Sequence, residues 1–262
     1  MRAVGAKVYS KKYFETDCGG HEMWRKSCGK DLPPRLEYAF NIADICMGMN
    51  VLDWGCGRGE LSYQAARVGA DVLGLDYAKD AIELTKKLPK DTKGKLKFAQ
   101  IDDLLIPAKD NSFDRILFVD VIEHLYPEQL KILMKEFARV LKPGGKLVIH
   151  TFPNLDHYNF GYPRFTRWAH MMTNPIWQLL FHEKLRDSPS PRFGYDSKVH
   201  VNECSLTMVK DYVEAAKLVA NVWYDSEWRM IRRRDKIRYN FFQPLWLSNK
   251  YFADDIWAIG TK

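Results

Sequence analysis

The chain has 262 residues, 46% of them hydrophobic, and a formal net charge of +7. This length suits one large α/β domain with additions and is short for two full domains. No run approaches the roughly 20 apolar residues that cross a bilayer, and the start of the chain lacks the apolar centre of a signal peptide, so a cytoplasmic protein is expected. The five cysteines are scattered without a C-x-x-C pair, which argues against a disulfide framework and a structural zinc site, so no metal is expected.

Strand and helix patterns alternate along the first 151 residues. From Pro33, apolar residues recur at helical spacing through Ile45, which predicts a first helix, and residues 1–48 are taken as an N-terminal cover that includes it. The strands predicted next cover residues 51–54, 71–76, 96–101, 115–120 and 146–151, and the helices cover residues 60–68, 78–88 and 127–141. This alternation predicts a parallel sheet with helices on both faces, whose ligands bind at the carboxyl ends of the strands.

A glycine-rich turn joins the first strand to its helix. Residues 53–59 read Asp-Trp-Gly-Cys-Gly-Arg-Gly, and such a turn lets the backbone approach a ligand closely. The dinucleotide pattern G-x-G-x-x-G would require a glycine at Glu60, which weakens a nicotinamide dehydrogenase interpretation. Asp76 ends the second strand about 20 residues beyond the turn, where a ribose-binding acid is typical.

These segments, taken with three later ones, resemble the class I S-adenosylmethionine-dependent methyltransferases. The nearest branch includes the ubiquinone-biosynthesis methyltransferases, which share a Glu-His dipeptide after the fourth strand. The five matching motifs, in chain order, are Asp53-Trp54-Gly55-Cys56-Gly57-Arg58-Gly59, Leu75-Asp76-Tyr77-Ala78, Ile101-Asp102-Asp103-Leu104 with Asp110-Asn111-Ser112-Phe113-Asp114, Phe118-Val119-Asp120-Val121-Ile122-Glu123-His124-Leu125, and Arg139-Val140-Leu141-Lys142-Pro143-Gly144-Gly145.

The resemblance implies an α/β fold with a doubly wound, mostly parallel, seven-stranded, Rossmann-like sheet. Residues 49–151 would form the cofactor-binding core, and residues 152–204, rich in aromatics and proline, an insertion after the fifth strand that acts as a lid or substrate-binding segment. Residues 205–262 would complete the core. They would supply a helix over residues 205–218 and the last two strands, 219–228 and 255–261, as the antiparallel edge.

The implied cofactor is S-adenosylmethionine, whose adenosine end needs acceptors for its hydroxyls and its amino group. Asp76 is expected to accept both ribose hydroxyls, with a helix-capping role as the structural alternative. The resemblance assigns the adenine to the Asp102 carboxylate and the Asp103 backbone amide, with Tyr77 over one face of the ring.

The methionine end of the cofactor is expected against the glycine turn. Gly55 and Gly57 let main-chain atoms come close, and Cys56 packs under the loop. Asp120, which ends the fourth strand, is expected among the cofactor-binding residues and is also a candidate base. Asp53 either meets the ammonium through a water or caps the turn.

Methyl transfer to a hydroxyl needs alignment and the removal of a proton. The candidates for the catalytic base are His124, Glu123 and His150. His124 comes first because its ordinary pKa is nearest neutrality, with a packing role as an equal alternative. His200, just before the helix over residues 205–218, is a further candidate for substrate contact.

The insertion carries an apolar pattern that predicts two short helices interrupted at Pro175. This face either packs onto the core and covers the substrate or contacts a membrane surface or lipid. The face consists of Phe165, Trp168, Met172, Ile176, Leu179 and Leu180. A basic run over residues 229–238 favours solvated surface ahead of an anionic head group or nucleic acid.

The function expected is methyl transfer to a small-molecule acceptor, a hydroxyl of a glycan, a lipid-linked intermediate or another metabolite. A nucleic-acid methyltransferase is the second hypothesis, disfavoured because the fourth motif lacks the paired prolines of amino-group DNA methyltransferases. A non-catalytic module of the same fold is the third, and would be signalled by a broken glycine turn, which this sequence does not have. The oligomeric state is left open.

Overall fold

A seven-stranded sheet forms the centre of the protein, described here from a computed structural model. The structure describes residues 5, 8–185, 187–190, 192, 196–225 and 249–262. The strands, in chain order, are β1 Asn50–Trp54, β2 Asp71–Asp76, β3 Leu96–Gln100, β4 Phe113–Val119, β5 Leu141–Thr151, β6 Val219–Tyr224 and β7 Ile256–Thr261. Their spatial order is β3-β2-β1-β4-β5-β7-β6.

The pairing of the strands confirms the predicted sheet. β3, β2, β1, β4 and β5 are parallel to their neighbours, whereas β7 runs antiparallel between β5 and β6. The chain order reverses between β1 and β4, so the crevice at their carboxyl ends is where such a sheet binds ligands. Strand β5 begins five residues before the predicted residue 146, because Leu141 pairs with Phe113 across a register shift.

Helices flank both faces of the sheet. Their bounds are α1 His21–Ser27, α2 Pro34–Ala43, α3 Glu60–Val68, α4 Lys79–Thr85, α5 Pro127–Val140, α6 Arg167–Phe181, α7 Asp196–Val199 and α8 Leu206–Ala215. Helix α2 begins at Pro34, where a proline costs no internal hydrogen bond. Helix α8 begins after Ser205, whose hydroxyl accepts a hydrogen bond from the Met208 amide.

The largest part of the core lies under β4 and helix α5. Phe118 is fully buried there, with its ring 5.7 Å from that of Trp54 and 4.9 Å from that of Phe137. Edge-to-face aromatic packing of this kind adds to the burial of apolar area. The core fixes the strand ends that carry the polar residues of the crevice.

The N-terminal segment folds back over the crevice, where Tyr9, Tyr13 and Phe14 line the cavity. A π-helical turn, Tyr13–Asp17, precedes α1, and Phe14 is buried. Arg58, itself buried in the glycine turn, donates to the Phe14 carbonyl at 2.7 Å and to the Gly19 carbonyl at 2.7 Å. The guanidinium therefore fastens the segment to the turn.

The insertion after β5 is helical. A π-helix, His157–Thr166, leads into α6, which continues through Pro175 without a break. The prediction of two short helices interrupted at Pro175 is therefore wrong. Among the described residues, no helix is long and apolar enough to span a membrane. The basic run predicted at residues 229–238 lies outside the described residues.

Candidate active site

A cavity of about 500 Å³ lies at the carboxyl ends of β1, β2, β4 and β5, under the N-terminal segment. Its volume is in the range of small-molecule sites. The sequence-predicted residues in its wall are Asp53, Gly55, Cys56, Gly57, Asp76, Tyr77, Asp120, Glu123, His124 and His200. Sequence reasoning missed the wall residues of the N-terminal segment, which include Tyr9, Tyr13 and Phe14. Their only signal was an aromatic-rich start of the chain.

The glycine turn needs its glycines for two physical reasons. Gly55 has a φ of +78°, in the left-handed region that favours glycine, and a Cβ there would lie 2.5 Å from a Val121 methyl. Gly57, at a φ of +53°, donates its amide to an Asp76 oxygen at 2.9 Å. The turn therefore fits closely between β4 and the end of β2.

Asp76 connects the turn to the start of α4. Its second oxygen accepts a hydrogen bond from the Ala78 amide at 2.8 Å, which closes a local turn. Helix α4 begins after Ala78 without a side-chain cap bond, so Asp76 is not the helix cap that the alternative proposed. Burial raises the pKa of Asp76 to about 6, although the bonds from the amides of Ala78, Gly57 and Tyr77 act in the opposite direction. The carboxylate lines the cavity.

Asp53 and Cys56 are held inside the turn. The Ser62 hydroxyl donates to Asp53 at 2.6 Å, and burial raises the pKa of Asp53 to about 7 despite that bond. Burial likewise raises the pKa of the Cys56 thiol, so this cysteine is a packed thiol and not a thiolate. For Asp53 the structural role of orienting the turn is present in the geometry.

Asp102 and Asp103 are not in the wall of the cavity. Both are exposed, and the Asp103 carboxylate accepts hydrogen bonds from the Leu104 and Leu105 amides at 2.6 and 3.2 Å. This local turn occupies the Asp103 side chain. The assignment of these two residues to the adenine stays a prediction.

Glu123 is fully buried in the short helical turn after β4. The Thr151 hydroxyl donates to its Oε2 at 2.8 Å, while its Oε1 has no hydrogen-bond partner among the described residues. Burial raises the pKa of Glu123 to about 7, with His200 lowering it and Asp120 raising it. A carboxyl group in this condition exchanges a proton near neutral pH.

His124 is a weaker base than its sequence suggested. Its Nδ1 lies 3.2 Å from the Val199 carbonyl and 2.9 Å from the Tyr9 hydroxyl. Burial, followed by the nearby His200, lowers the pKa of His124 to about 4, so the ring is neutral at pH 7. Its Nε2 lies 4.0 Å from Glu123 Oε1, which makes the two side chains neighbours at the same wall.

His150 lies between two carboxylates, which the sequence did not predict. Its Nδ1 makes a short hydrogen bond to Asp120, and its Nε2 lies 3.1 Å from Asp255 Oδ1. Both ring nitrogens are therefore engaged, and neither has a free lone pair for an acceptor hydroxyl. This geometry argues against His150 as the base.

Ligating atoms of Glu123, His124 and His200 lie within 4.8 Å of one another, a spacing that could hold a metal ion. Carboxylate and imidazole groups are common ligands of transition metals. The expectation from the sequence that no metal is bound is not decided by this geometry.

Comparison with known proteins identifies a domain that contains the glycine turn and Asp76. Residues 52–149 match a family described as a methyltransferase domain. This part of the chain is a class I S-adenosylmethionine-dependent methyltransferase domain. A ubiquinone biosynthesis O-methyltransferase from Vibrio cholerae is 33% identical over 130 residues, which is 49% of this chain and 52% of that protein. The chain thus spans about half the length of the curated relatives it matches.

Solved structures agree on the fold of the methyltransferase domain. A methyltransferase from Archaeoglobus fulgidus aligns over 94% of this chain and 100% of its own, with a TM-score of 0.55 and 16% identity. A Haemonchus contortus phospholethanolamine N-methyltransferase 2, solved with phosphomonomethylethanolamine and S-adenosylhomocysteine, aligns over 97% of this chain and 60% of its own, with a TM-score of 0.59 and 16% identity. At this identity the likeness shows the fold alone.

The cavity fits S-adenosylmethionine, the cofactor of this methyltransferase domain. Asp76 and Tyr77 both line the cavity, and their assignment to the ribose hydroxyls and the adenine ring stays a prediction. An ion pair between Arg35 and Asp120, 2.7 Å apart, presents one charge of each sign to the cavity. Such a pair complements the ammonium and carboxylate of the cofactor's amino acid end.

Proposed function

We propose that the protein transfers a methyl group from S-adenosylmethionine to a hydroxyl of a small-molecule acceptor, a glycan, a lipid-linked intermediate or another metabolite. The observation that carries this proposal is the buried Glu123 in the wall of the cavity that Asp76 also lines. Its Oε1 has no hydrogen-bond partner among the residues that the structure describes, and its pKa is raised to about 7. A hydroxyl needs a proton acceptor as it attacks, and this carboxylate can take that proton.

Different residues of the methyltransferase domain then have different roles in the reaction. S-adenosylmethionine, when bound, supplies a methyl group that its positive sulfur makes electrophilic. Thr151 holds one Glu123 oxygen at 2.8 Å, so the other oxygen is the one available to the acceptor hydroxyl. His124, neutral and fixed by the Val199 carbonyl, is a hydrogen-bonding neighbour that helps to orient the acceptor.

Oxygen is favoured over nitrogen as the methylated atom on two grounds. The curated relatives carry the name O-methyltransferase, and a buried carboxyl with a pKa of about 7 is matched to removing a hydroxyl proton. Tyr9 reaches over the site to His124, so the N-terminal segment closes the cavity above the reacting groups. A cavity of about 500 Å³ favours a small acceptor, or the end of a larger one, over duplex nucleic acid.

Helix α6 supports a location for the acceptor at an anionic membrane surface. Met172, Ile176 and Leu179 on this helix are 80%, 64% and 76% exposed. Arg164 near its beginning and Lys184 just beyond its end are exposed cations. Apolar side chains flanked by cations are typical of helices that lie in the interface of an anionic bilayer.

The test of the transfer reaction is release of S-adenosylhomocysteine with a panel of phenols, glycans and lipid-linked sugars. Turnover with an acceptor that carries a free hydroxyl, and none with its O-methylated analogue, is the expected result. His124→Ala should lower turnover more than it weakens cofactor binding. Cofactor binding by calorimetry with no turnover on any acceptor would favour a non-catalytic module of the same fold, and turnover on an oligonucleotide would overturn the acceptor class.

The test of the membrane location is sedimentation with phosphatidylglycerol-containing vesicles and with pure phosphatidylcholine vesicles. The protein should pellet with the former, and Leu179→Glu should weaken this binding about tenfold or more. Ile132→Glu is the matched control, because Ile132 is 48% exposed on α5 outside the insertion. Equal pelleting of both variants, or a dimer that Leu179→Glu dissociates, would contradict the membrane assignment.

A further inference from the structure

A line of alternating charges runs from the interior of the sheet to the cavity wall. Asp255, just before β7, and His150 on β5 are both 0% exposed, and Asp255 Oδ1 lies 3.1 Å from His150 Nε2. The other ring nitrogen of His150 bonds Asp120, whose second oxygen lies 2.7 Å from Arg35 Nη2. Asp120 and Arg35 line the cavity, whereas His150 and Asp255 are not in its wall.

The hydrogen bonds of His150 indicate how its ring is protonated. An ionised carboxylate only accepts, so each ring nitrogen of His150 that faces one must carry a proton. Burial alone would lower the pKa of His150, but Asp120 and then Asp255 outweigh it and raise that pKa. In the same way burial alone would raise the pKa of Asp120, but Arg35 and His150 bring it down to about 2.

The backbone conformation of Asp120 needs surrounding contacts to maintain it. Its φ is +60°, in the left-handed region that non-glycine residues rarely adopt and that aspartate tolerates best among charged residues. Its amide donates to the His150 carbonyl at 3.0 Å, so β5 holds the main chain as well as the side chain. Backbone conformations of this kind concentrate at functional sites, where surrounding contacts maintain them.

We propose that His150 and Asp255 are positioning residues for the cofactor's amino acid end. His150 holds the Asp120 carboxylate in place to receive the cofactor's ammonium, and Asp255 keeps His150 oriented. The other Asp120 oxygen pairs with Arg35. The inference rests on the proposed function and deepens it by assigning this end of the cofactor.

Several charged or titratable groups surround His150 and Asp120, and each of them affects how the pKa values of these two residues depend on their surroundings. Asp255 precedes β7, Arg35 lies on α2, and Glu123 and His124 follow β4. The other neighbours of the His150 ring include the rings of Trp257, 4.2 Å away, and Phe152, neither of which titrates. Removing the Asp255 charge leaves Asp120 as the anion bonded to His150, so the pKa of His150 should fall toward the neutral range.

The first experiment measures the protonation of His150 in the wild-type protein. Protein labelled with ¹⁵N in histidine should show His150 with both ring nitrogens protonated at pH 7, with the signal assigned by its loss in His150→Gln. A singly protonated ring at pH 7 would overturn the proposal. This readout does not depend on the cofactor, so it stands even if the protein does not bind S-adenosylmethionine.

The second experiment measures cofactor affinity by calorimetry at pH 6 and pH 8.5. Asp255→Asn should bind S-adenosylmethionine nearly as well as the wild type at pH 6 and at least fivefold more weakly at pH 8.5, because His150 has then lost its proton. Asp254→Asn is the matched control, since Asp254 pairs with a different histidine, His157, at 3.2 Å. It should match the wild type at both pH values.

Other outcomes of the second experiment decide against the proposal. Equal weakening of Asp255→Asn at both pH values would mark Asp255 as merely structural, and unchanged affinity at both would remove the network from cofactor binding. If the variant does not fold, the ¹⁵N spectrum of the wild type still decides the charge state. Failure of the wild type itself to bind the cofactor would refute the proposed function, and that result is distinct from all of these.

Discussion

The methyltransferase domain and helix α6 of the insertion differ in the side chains that they bury. In the domain, the strands bury residues such as Phe118 and Ile116 and place charged groups at their carboxyl ends. Helix α6 buries the polar His170 and Asn174 beside Trp177, whereas the apolar Met172 is 80% exposed. Apolar periodicity therefore identified a helical face here without showing on which side the protein lies.

Polar contacts explain how α6 is held in this orientation. The Asn174 side chain donates to the Leu185 carbonyl at 3.0 Å and accepts from the Leu185 amide at 2.7 Å. This pair of bonds satisfies the backbone of the segment that follows the helix, as a neighbouring strand would. These polar contacts help to attach the helix, and its exposed side is largely apolar.

The largest effect expected is on turnover, at the rim of the methyltransferase domain. Glu123→Gln removes the proposed proton acceptor and should lower turnover a hundredfold to ten-thousandfold, as general bases typically do. Glu128→Gln on α5 is the control, because Glu128 is exposed. Turnover of Glu123→Gln within threefold of the wild type would show that alignment alone carries the reaction.

The same variant has a predictable effect on stability. Because the folded pKa of Glu123 is raised from 4.5 to about 7, its contribution is favourable below pH 4.5 and is lost as the pH rises through 7. Glu123→Gln should therefore be more stable than the wild type at pH 8, by on the order of 1–3 kcal/mol, and not at pH 4. Denaturant unfolding at the two pH values measures this, and the opposite ordering would contradict it.

The second largest effect is expected on the unfolding free energy of the methyltransferase domain. Phe118→Ala should cost about 3–5 kcal/mol of unfolding free energy, since it empties space between the rings of Trp54 and Phe137. Urea unfolding of the purified variant checks the value. A cost under 1 kcal/mol would mean that this cluster is not the main core of the domain.

A smaller effect is expected on cofactor affinity. Asp76→Ala should weaken S-adenosylmethionine binding at least tenfold, about 1.4 kcal/mol, because it removes the acceptor for the ribose and the support of the Gly57 amide. Asp71→Ala is the matched control, since Asp71 begins the same strand at the end away from the cavity. Calorimetry that gives equal affinity for Asp76→Ala and the wild type would remove Asp76 from the site.

The smallest effect is expected on the unfolding free energy when an exposed residue of the insertion is changed. Leu179→Ser should change the unfolding free energy by no more than about 0.5 kcal/mol, because its side chain is 76% exposed and little apolar area is lost from the interior. The measurement is the same urea titration used for Phe118→Ala. A cost as large as that of a core residue would show that Leu179 is covered within the protein, which would end the comparison drawn between the two regions.

Much of the domain could be predicted because its signals are local. The strand ending at Trp54, the glycine turn and the acid at Asp76 follow one another within about 30 residues, and period, turn chemistry and spacing each indicate the same fold. The site was less predictable. The contact between Tyr9 and His124 joins residues 115 positions apart, and nothing in either segment predicts it.

Arg58 and Pro175 show what the local sequence does not reveal. The bonds from Arg58 to the Phe14 and Gly19 carbonyls join residues far apart in the chain, so the sequence around Arg58 does not predict them. Pro175 predicted a helix break because it lacks an amide hydrogen, but the helix continues through it with the residue on the exposed side.

By itself the sequence determined the alternation of strands and helices, the glycine turn and the acidic residue at the end of the second strand, because periodicity and backbone freedom act over a few residues. Only the tertiary structure decided which titratable groups share an environment. It surrounded His150 with Asp120 and Asp255, left Glu123 buried with one oxygen unpartnered among the described residues, and turned the apolar side of α6 outward. Charge states and exposed faces depend on neighbours far apart in the chain, since burial and Coulomb interactions act through space.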